Sequence, residues 1–492
     1  MSAAEPVIAG MHPDPSVCRV GEDYYLVCSS FEYFPGIPVF HSRDLVHWTQ
    51  IGNALDRTSQ LLLTPETPSS AGIYAPTLRH HDGRFWLIVT SVSHGGGTMV
   101  FTATDPAGPW SDPVRLPGVG GIDPDLAWDD DGTCWCTVAG VGQYRVDPST
   151  GETFGEAREL WSGTPGAKAP EAPHLYRIGD HWYLLIAEGG TERGHGVSIA
   201  RGRSPQGPFE PCPANPVLSH RGTDEPVQNT GHADLVPGPD GSWWLVLLGV
   251  RPGGGTPGWH VLGRETFLAP VSWVDGWPVA GPVGATPPWP LHPGPAEPGR
   301  DDFDDGVLRP CWISVRDRSE QHCTTRERPG WLTLHARGAG LDDPTVVFVG
   351  RRQQHRSCRV RALVDAAAGS GGLAVRLDEE HHYEIEAGSG EVRVLARIGP
   401  LRTVVAARAV PAGPLVLHVR VDRARELRDA RSGPDTVSFG VEASDGTLTV
   451  LAALDGRYLS TEVAGGFTGR VIGAYAATGT VHFDWIDHEP LD

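Results

Sequence analysis

Gly179-Asp-His-Trp-Tyr-Leu-Leu-Ile186 sets an acidic turn against an aromatic-rich apolar run. The phrase recurs as Gly21-Glu-Asp-Tyr-Tyr-Leu-Val-Cys28, Asp82-Gly-Arg-Phe-Trp-Leu-Ile-Val89, Asp131-Gly-Thr-Cys-Trp-Cys-Thr-Val138 and Asp240-Gly-Ser-Trp-Trp-Leu-Val-Leu247. Taking Tyr24, Phe85, Cys134, Trp182 and Trp243 as equivalent, the steps are 61, 49, 48 and 61 residues. Asp-Gly suits a hairpin turn, and aromatic residues suit the strand that follows. A period near 50 residues, with room for about four strands per unit, predicts a β-propeller of five blades. The competing architecture is a sandwich with repeated hairpins. The agreement of the copies in both turn and strand favours the propeller.

A second regularity precedes each copy: His12-Pro-Asp-Pro-Ser16, Tyr74-Ala-Pro-Thr77, Ile122-Asp-Pro-Asp125, Ala169-Pro-Glu-Ala-Pro173 and Gly231-His-Ala-Asp234. Each is expected to open the first strand of its blade. Innermost strands line the channel of a propeller, so one polar residue per blade converges on the axis.

The propeller is expected to span residues 1–280. Residues 281–300 contain seven prolines in twenty positions and read as a semi-rigid linker. Residues 301–492 have few tryptophans. Runs such as Leu332-Thr-Leu-His335, Val392-Arg-Val-Leu395 and Thr447-Leu-Thr-Val-Leu451 alternate with glycine turns there, which predicts an antiparallel β-sandwich. The fold class is therefore all-β.

The 492-residue chain carries a formal net charge of −20. Such a chain repels phosphate backbones, which argues against nucleic acid and suits a neutral sugar. No apolar run is long enough to span a membrane. The first residues lack a basic and then apolar leader, and the eight cysteines form no metal or dense disulfide pattern. Together these point to the cytoplasm. Cys134 and Cys136 would share one strand face as a buried thiol pair.

Breaking a glycosidic bond takes a proton for the leaving oxygen and activation of the attacking group. Two carboxyls with different proton affinities supply both. The blade-opening segments offer Asp14, Asp123 and Glu171, each beside a proline that restricts its backbone. Singly, each reads as a surface Asp-Pro or Glu turn. Three carboxylates in equivalent repeat positions read as a site. Asp125 shares a strand face with Asp123 but lacks an acidic counterpart in the first and fourth repeats.

These segments resemble glycoside hydrolase family 43, in particular its β-xylosidase-like members with a C-terminal sandwich. The resemblance also rests on Ser29-Ser-Phe-Glu-Tyr-Phe-Pro-Gly36, His41-Ser-Arg-Asp-Leu-Val-His-Trp48, Gly263-Arg-Glu-Thr266, Phe348-Val-Gly-Arg-Arg-Gln-Gln-His355 and Phe483-Asp-Trp485. It covers nearly the whole chain, and the motifs are specific when taken together and in order.

The resemblance implies a five-bladed propeller, a concanavalin-like jelly roll and an inverting mechanism. Asp14 would be the general base, Glu171 the general acid, and Asp123 the residue that raises and orients the acid. Arg264 would bind sugar hydroxyls and nearby carboxylates. Phe31 and Tyr74 would wall the sugar pocket, since aromatic faces pack on pyranose C–H faces. Relatives often carry tryptophan where this chain has Tyr74, a departure that bears on the sugar in the first subsite. His232 would lie on the propeller axis, near a water or a bound cation. No cofactor is required; a structural calcium is left open, although one imidazole is weak support for a cation that prefers oxygen ligands. The expected activity is an exo-acting β-D-xylosidase on xylo-oligosaccharides. An α-L-arabinofuranosidase or bifunctional enzyme is the alternative, and a non-catalytic carbohydrate-binding propeller is the rival from another class. Homo-oligomer formation is left open.

Overall fold

A computed structural model describes residues 4–338, 340–424, 430–443 and 445–491. Five antiparallel sheets follow one another along the chain. The first blade is Ser16–Val20, Asp23–Val27, Gly36–Ser42 and Thr49–Leu55. The second is Thr77–His81, Arg84–Val92, Gly97–Ala103 and Val114–Arg115, with the short strand Gly72–Ile73 also paired to Arg84–Val92. The third is Asp125–Trp128, Cys134–Val138, Gly142–Asp147 and Glu152–Glu159. The fourth is Glu171–Ile178, His181–Glu188, Gly196–Gly202 and Glu210–Pro211, and the fifth Gln228–Pro237, Trp243–Val250, Glu265–Val274 and Trp277–Ala280. The aromatic runs form the second strand of every blade, where they pack between neighbouring sheets. In blade two, Asp82 and Gly83 both take positive φ (50° and 71°), as a two-residue hairpin of the favoured twist requires.

The ring closes through side chains and a short bridge. Thr266 and Ile8 exchange backbone hydrogen bonds, and Asp234 of blade five accepts from Ser16 Oγ (2.8 Å) and the Val17 amide (3.0 Å) of blade one. Below this, a buried polar plug spans the channel. Arg79 pairs with Asp125 at 2.8 Å and Asp234 at 3.0 Å, and the Tyr176 hydroxyl donates to Asp234. Asp125 also accepts from the Leu175 amide at 2.9 Å. All five innermost strands contribute, so the plug fixes the blades to one another. Asp125 thus serves as a structural carboxylate.

Cys134 and Cys136 are both buried on one strand face, as the alternation of a strand dictates.

The last propeller strand ends at Ala280 and the next strand is Arg300–Asp301. The proline-rich stretch between them lies against blade one. Trp289 Nε1 donates to the Asp44 carbonyl at 3.0 Å, and Asp44 Oδ2 accepts from the His292 amide at 2.6 Å. The C-terminal sandwich is organised by two long strands, Cys358–Arg376 and Val471–Pro490, paired along their lengths. Register breaks near 363–371 bend them. One half of Cys358–Arg376 then pairs with Leu415–Arg423 and the other with His381–Gly388. The two domains also share backbone pairing: Tyr33–Phe34, from the blade-one excursion, pairs with Ile313–Val315 of the sandwich.

Candidate active site

The blade-opening residues adopt an unusual backbone. Asp14 (φ 58°), Asp123 (φ 53°), Ala172 (φ 48°) and His232 (φ 45°) all sit in the left-handed region. Left-handed non-glycine residues cost free energy and gather at functional sites. Two residues on, Ser16, Asp125, His174 and Asp234 point into the channel plug. The kink therefore lifts the preceding side chain to the mouth while the strand below is held.

This alignment corrects one expectation. Asp14, Asp123 and His232 occupy the kinked position in their blades, but blade four puts Ala172 there. Glu171 lies one residue earlier, in step with Tyr74 of blade two. The sequence there runs Glu171-Ala-Pro-His174, so the residue before the proline is Ala172 and the acid stands one position earlier. The three carboxyls share a site without being strictly equivalent in the repeat.

All seven residues singled out in the sequence line one cavity of about 70 Å³: Asp14, Phe31, Tyr74, Asp123, Glu171, His232 and Arg264. Asp14 is the most heavily bonded. Arg264 Nη1 donates to its Oδ1 at 2.9 Å, Ser29 Oγ donates to its Oδ2 at 2.5 Å, and His232 Nδ1 stands 3.5 Å from Oδ1. Burial pushes this carboxyl up, but Arg264, His232 and Ser29 together outweigh burial and hold it below the ordinary carboxylate range. His232 is itself pushed down to about 4, because burial overrides the pull of Asp14 and Glu171. It is neutral at neutral pH, so its contact with Asp14 is not an ion pair.

Asp123 is shifted the other way. Burial, then the charges of Glu171 and Asp14, raise it well above its ordinary value, against one hydrogen bond from the Ala172 amide at 3.2 Å. Like-charge repulsion within the group thus adds to burial at Asp123. Glu171 keeps 20% of its side chain exposed.

Four further lining residues escaped the sequence reading: Ala75, Ile122, Thr191 and Phe467. Thr191 Oγ1 accepts from Arg264 Nη1 at 3.0 Å. His195, just behind the lining, has Nε2 3.6 Å from Glu171 Oε1, while its Nδ1 is 3.0 Å from the Asn229 carbonyl. A carbonyl only accepts, so Nδ1 carries a proton and Nε2 faces the carboxyl. Thr191 and His195 belong to Gly189-Gly-Thr-Glu-Arg-Gly-His-Gly196, whose glycine density was the available signal. Phe467 comes from the sandwich and stacks on Phe31 with centroids 6.1 Å apart. Tyr74 meets both rings edge-on, at 5.9 and 6.1 Å. The Arg264 guanidinium lies between Phe31 (5.7 Å) and Phe467 (5.5 Å). Phe31 is itself clamped, exchanging backbone hydrogen bonds with Ile73 at 2.8 and 2.9 Å. Gly72 permits that approach, since a Cβ there would fall 2.4 Å from the Phe31 carbonyl oxygen.

Asp14, beside His232, is already committed to Arg264 and Ser29. Among the described residues no three His, Cys, Asp or Glu side chains gather as a metal would need.

Three carboxyls in one pocket, an arginine on one of them and aromatic walls suit the chemistry of glycoside cleavage. Residues 3–278 match the family described as glycosyl hydrolases family 43. The chain belongs to glycosyl hydrolase family 43. It is accordingly a glycosidase. Residues 300–489 match the β-xylosidase C-terminal concanavalin A-like domain, in keeping with the five-bladed propeller and jelly-roll sandwich seen here. The chain is 41% identical to the non-reducing end alpha-L-arabinofuranosidase BoGH43B of Bacteroides ovatus, over 99% of this chain and 94% of that protein. It is 36% identical to a xylosidase/arabinosidase of Butyrivibrio fibrisolvens, over 97% and 96% of the two chains. The crystal structure of xylan beta-1,4-xylosidase from Bacillus halodurans C-125 superposes with a TM-score of 0.90 at 31% identity, covering 99% of this chain and all (100%) of that one. Among the described residues no helix is long and apolar enough to cross a membrane.

Proposed function

We propose that this family 43 enzyme is an exo-acting, inverting β-D-xylosidase that trims non-reducing ends of xylo-oligosaccharides. The observation that carries the reading is one small pocket of about 70 Å³, which Asp14, Asp123 and Glu171 share with Phe31, Tyr74 and, from the other domain, Phe467. A pocket that small suits one terminal sugar rather than a run of sugar units.

In this reading Asp14 is the base. Arg264, His232 and Ser29 keep it ionised, so it can take a proton from water as that water attacks the anomeric carbon. Glu171, nearer solvent, gives its proton to the leaving glycosidic oxygen. Asp123, buried and inclined to stay protonated, orients the acid without adding a third charge. Arg264 and Thr191 are placed to bind sugar hydroxyls. An inverting site keeps its two working carboxyls about 6.5–9.5 Å apart to admit the water.

A second reading is α-L-arabinofuranoside cleavage, alone or alongside. It is favoured by Tyr74, smaller than tryptophan, and by the activities named for the Bacteroides ovatus and Butyrivibrio fibrisolvens relatives. Xylopyranose and arabinofuranose present similar hydroxyl layouts to a small pocket.

The test is release of nitrophenol from the β-D-xyloside and the α-L-arabinofuranoside, with NMR of the first sugar anomer formed. Asp14→Ala and Glu171→Ala should each abolish turnover of whichever glycoside is cleaved. Activity persisting in both, or a first-formed β-xylose from the xyloside, would sink the assignment.

A further inference from the structure

A second cavity, of about 450 Å³, lies between the domains and shares no lining residue with the catalytic pocket. Three arginines of its wall belong to the linker side and the sandwich: Arg309, Arg351 and Arg352. Two are balanced. Arg309 Nε is 2.9 Å from Asp301 Oδ2, and Arg351 Nη2 is 3.3 Å from Glu297 Oε1. Arg352 is not. It is 6% exposed, its Nε and Nη2 are buried without any acceptor, and it forms no ion pair among the described residues. Its own surroundings, Cys28, Tyr33 and Cys311, offer no counter-charge, and burial lowers its proton affinity to about 10. His12, beside it, is pushed well down by burial and then by Arg352, and so is neutral.

An uncompensated buried cation is strongly destabilising unless an anion joins it. The cavity is where such an anion can sit. The other walls are largely apolar: Ile8, Phe40, Trp48 and Pro310. Inorganic anions would fill little of this space and desolvate poorly against those walls. A neutral sugar would leave the charge unmatched, and a metal cation would be repelled. The volume lies in the range of small-molecule sites. We propose that this interdomain cavity binds a small organic monocarboxylate, its carboxylate on the Arg352 side and its apolar body against Phe40 and Trp48. Such a ligand would touch three parts of the chain at once: the segment leading into Asp14, the linker around Glu297, and the sandwich strand Val347–Arg352.

The test uses the full-length protein and benzoate as the probe, with acetate, phosphate and chloride at matched ionic strength. Benzoate should raise the unfolding temperature saturably by several degrees and titrate as one site by calorimetry, with acetate weaker. Arg352→Met should weaken benzoate binding at least tenfold, and Arg352→Lys should retain most of it. Ala296→Trp, at the exposed edge of the cavity, should weaken it by a similar factor without touching the buried charge. Equal responses to chloride or phosphate would overturn the proposal. So would unchanged benzoate affinity in Arg352→Met, or in Ala296→Trp if the former does not fold.

Discussion

Arg264 reaches back across 250 residues to Asp14, its Nη1 donating to Oδ1 at 2.9 Å. The bond joins blade five to blade one at the seam of the ring and keeps the proposed base ionised. Arg264→Met should lower kcat/KM by about 100- to 1000-fold, the usual cost of one preorganised charged donor. With the guanidinium gone, burial dominates and Asp14 holds its proton to higher pH. The acid limb of the rate profile should therefore move upward. A pH profile on the nitrophenyl glycoside checks both effects; an unmoved acid limb would remove Asp14 from the role of base.

Asp123 is costly to ionise where it sits. Its proton affinity is raised above the ordinary aspartate value of 3.8, so the folded state holds a proton that the unfolded chain releases. Its contribution to stability is greatest below that ordinary value and falls as pH rises through the window between the unfolded and folded values. Asp123→Asn abolishes the penalty. The variant should gain in Tm over the parent at pH 8, gain much less at pH 4, and lose most of its activity. Calorimetric scans at the two pH values read this directly.

Phe467 is 37% exposed, and its ring is the sandwich's contribution to the sugar pocket. Phe467→Ala should leave folding intact and cut kcat/KM about tenfold, the order expected for one aromatic contact of 1–2 kcal/mol. The loss should fall mainly on KM. Steady-state kinetics alongside a thermal melt separates this from general destabilisation.

Arg79 ties Asp125 and Asp234 together in the channel plug. Arg79→Met strands two buried carboxylates and should cost about 3–5 kcal/mol. A lower midpoint in urea unfolding is the measurement. An unchanged midpoint would mean that the plug does not brace the ring.

The repeat phrase exposed the propeller because turn and strand chemistry recur together, and each blade is built from a contiguous stretch. The polar residues before each copy exposed the site for the same reason, since a strand start fixes where its side chain goes. Two things did not show. The one-residue offset of Glu171 leaves Ala172 at the kink of blade four, and Pro173 marks that kink only when blades are aligned by their prolines. Phe467 follows two glycines in the other domain. Its place at the pocket is decided by long-range docking, which leaves no local pattern. Asp125 looked like a weak relative of Asp123, and the channel contacts explain why an acid stands there.

The segment from Ser29 to Phe34 serves several masters. Ser29 holds Asp14, Phe31 walls the pocket, and Tyr33–Phe34 completes a sheet of the sandwich. Glu32, fully buried, accepts from the Ser70 amide and faces Arg376 of the sandwich at 3.8 Å. Six neighbouring residues thus belong to two modules together. A recombination that exchanged the C-terminal module for a foreign one would break a sheet and disturb the pocket in the same event, so these modules should travel through genomes as a single heritable block.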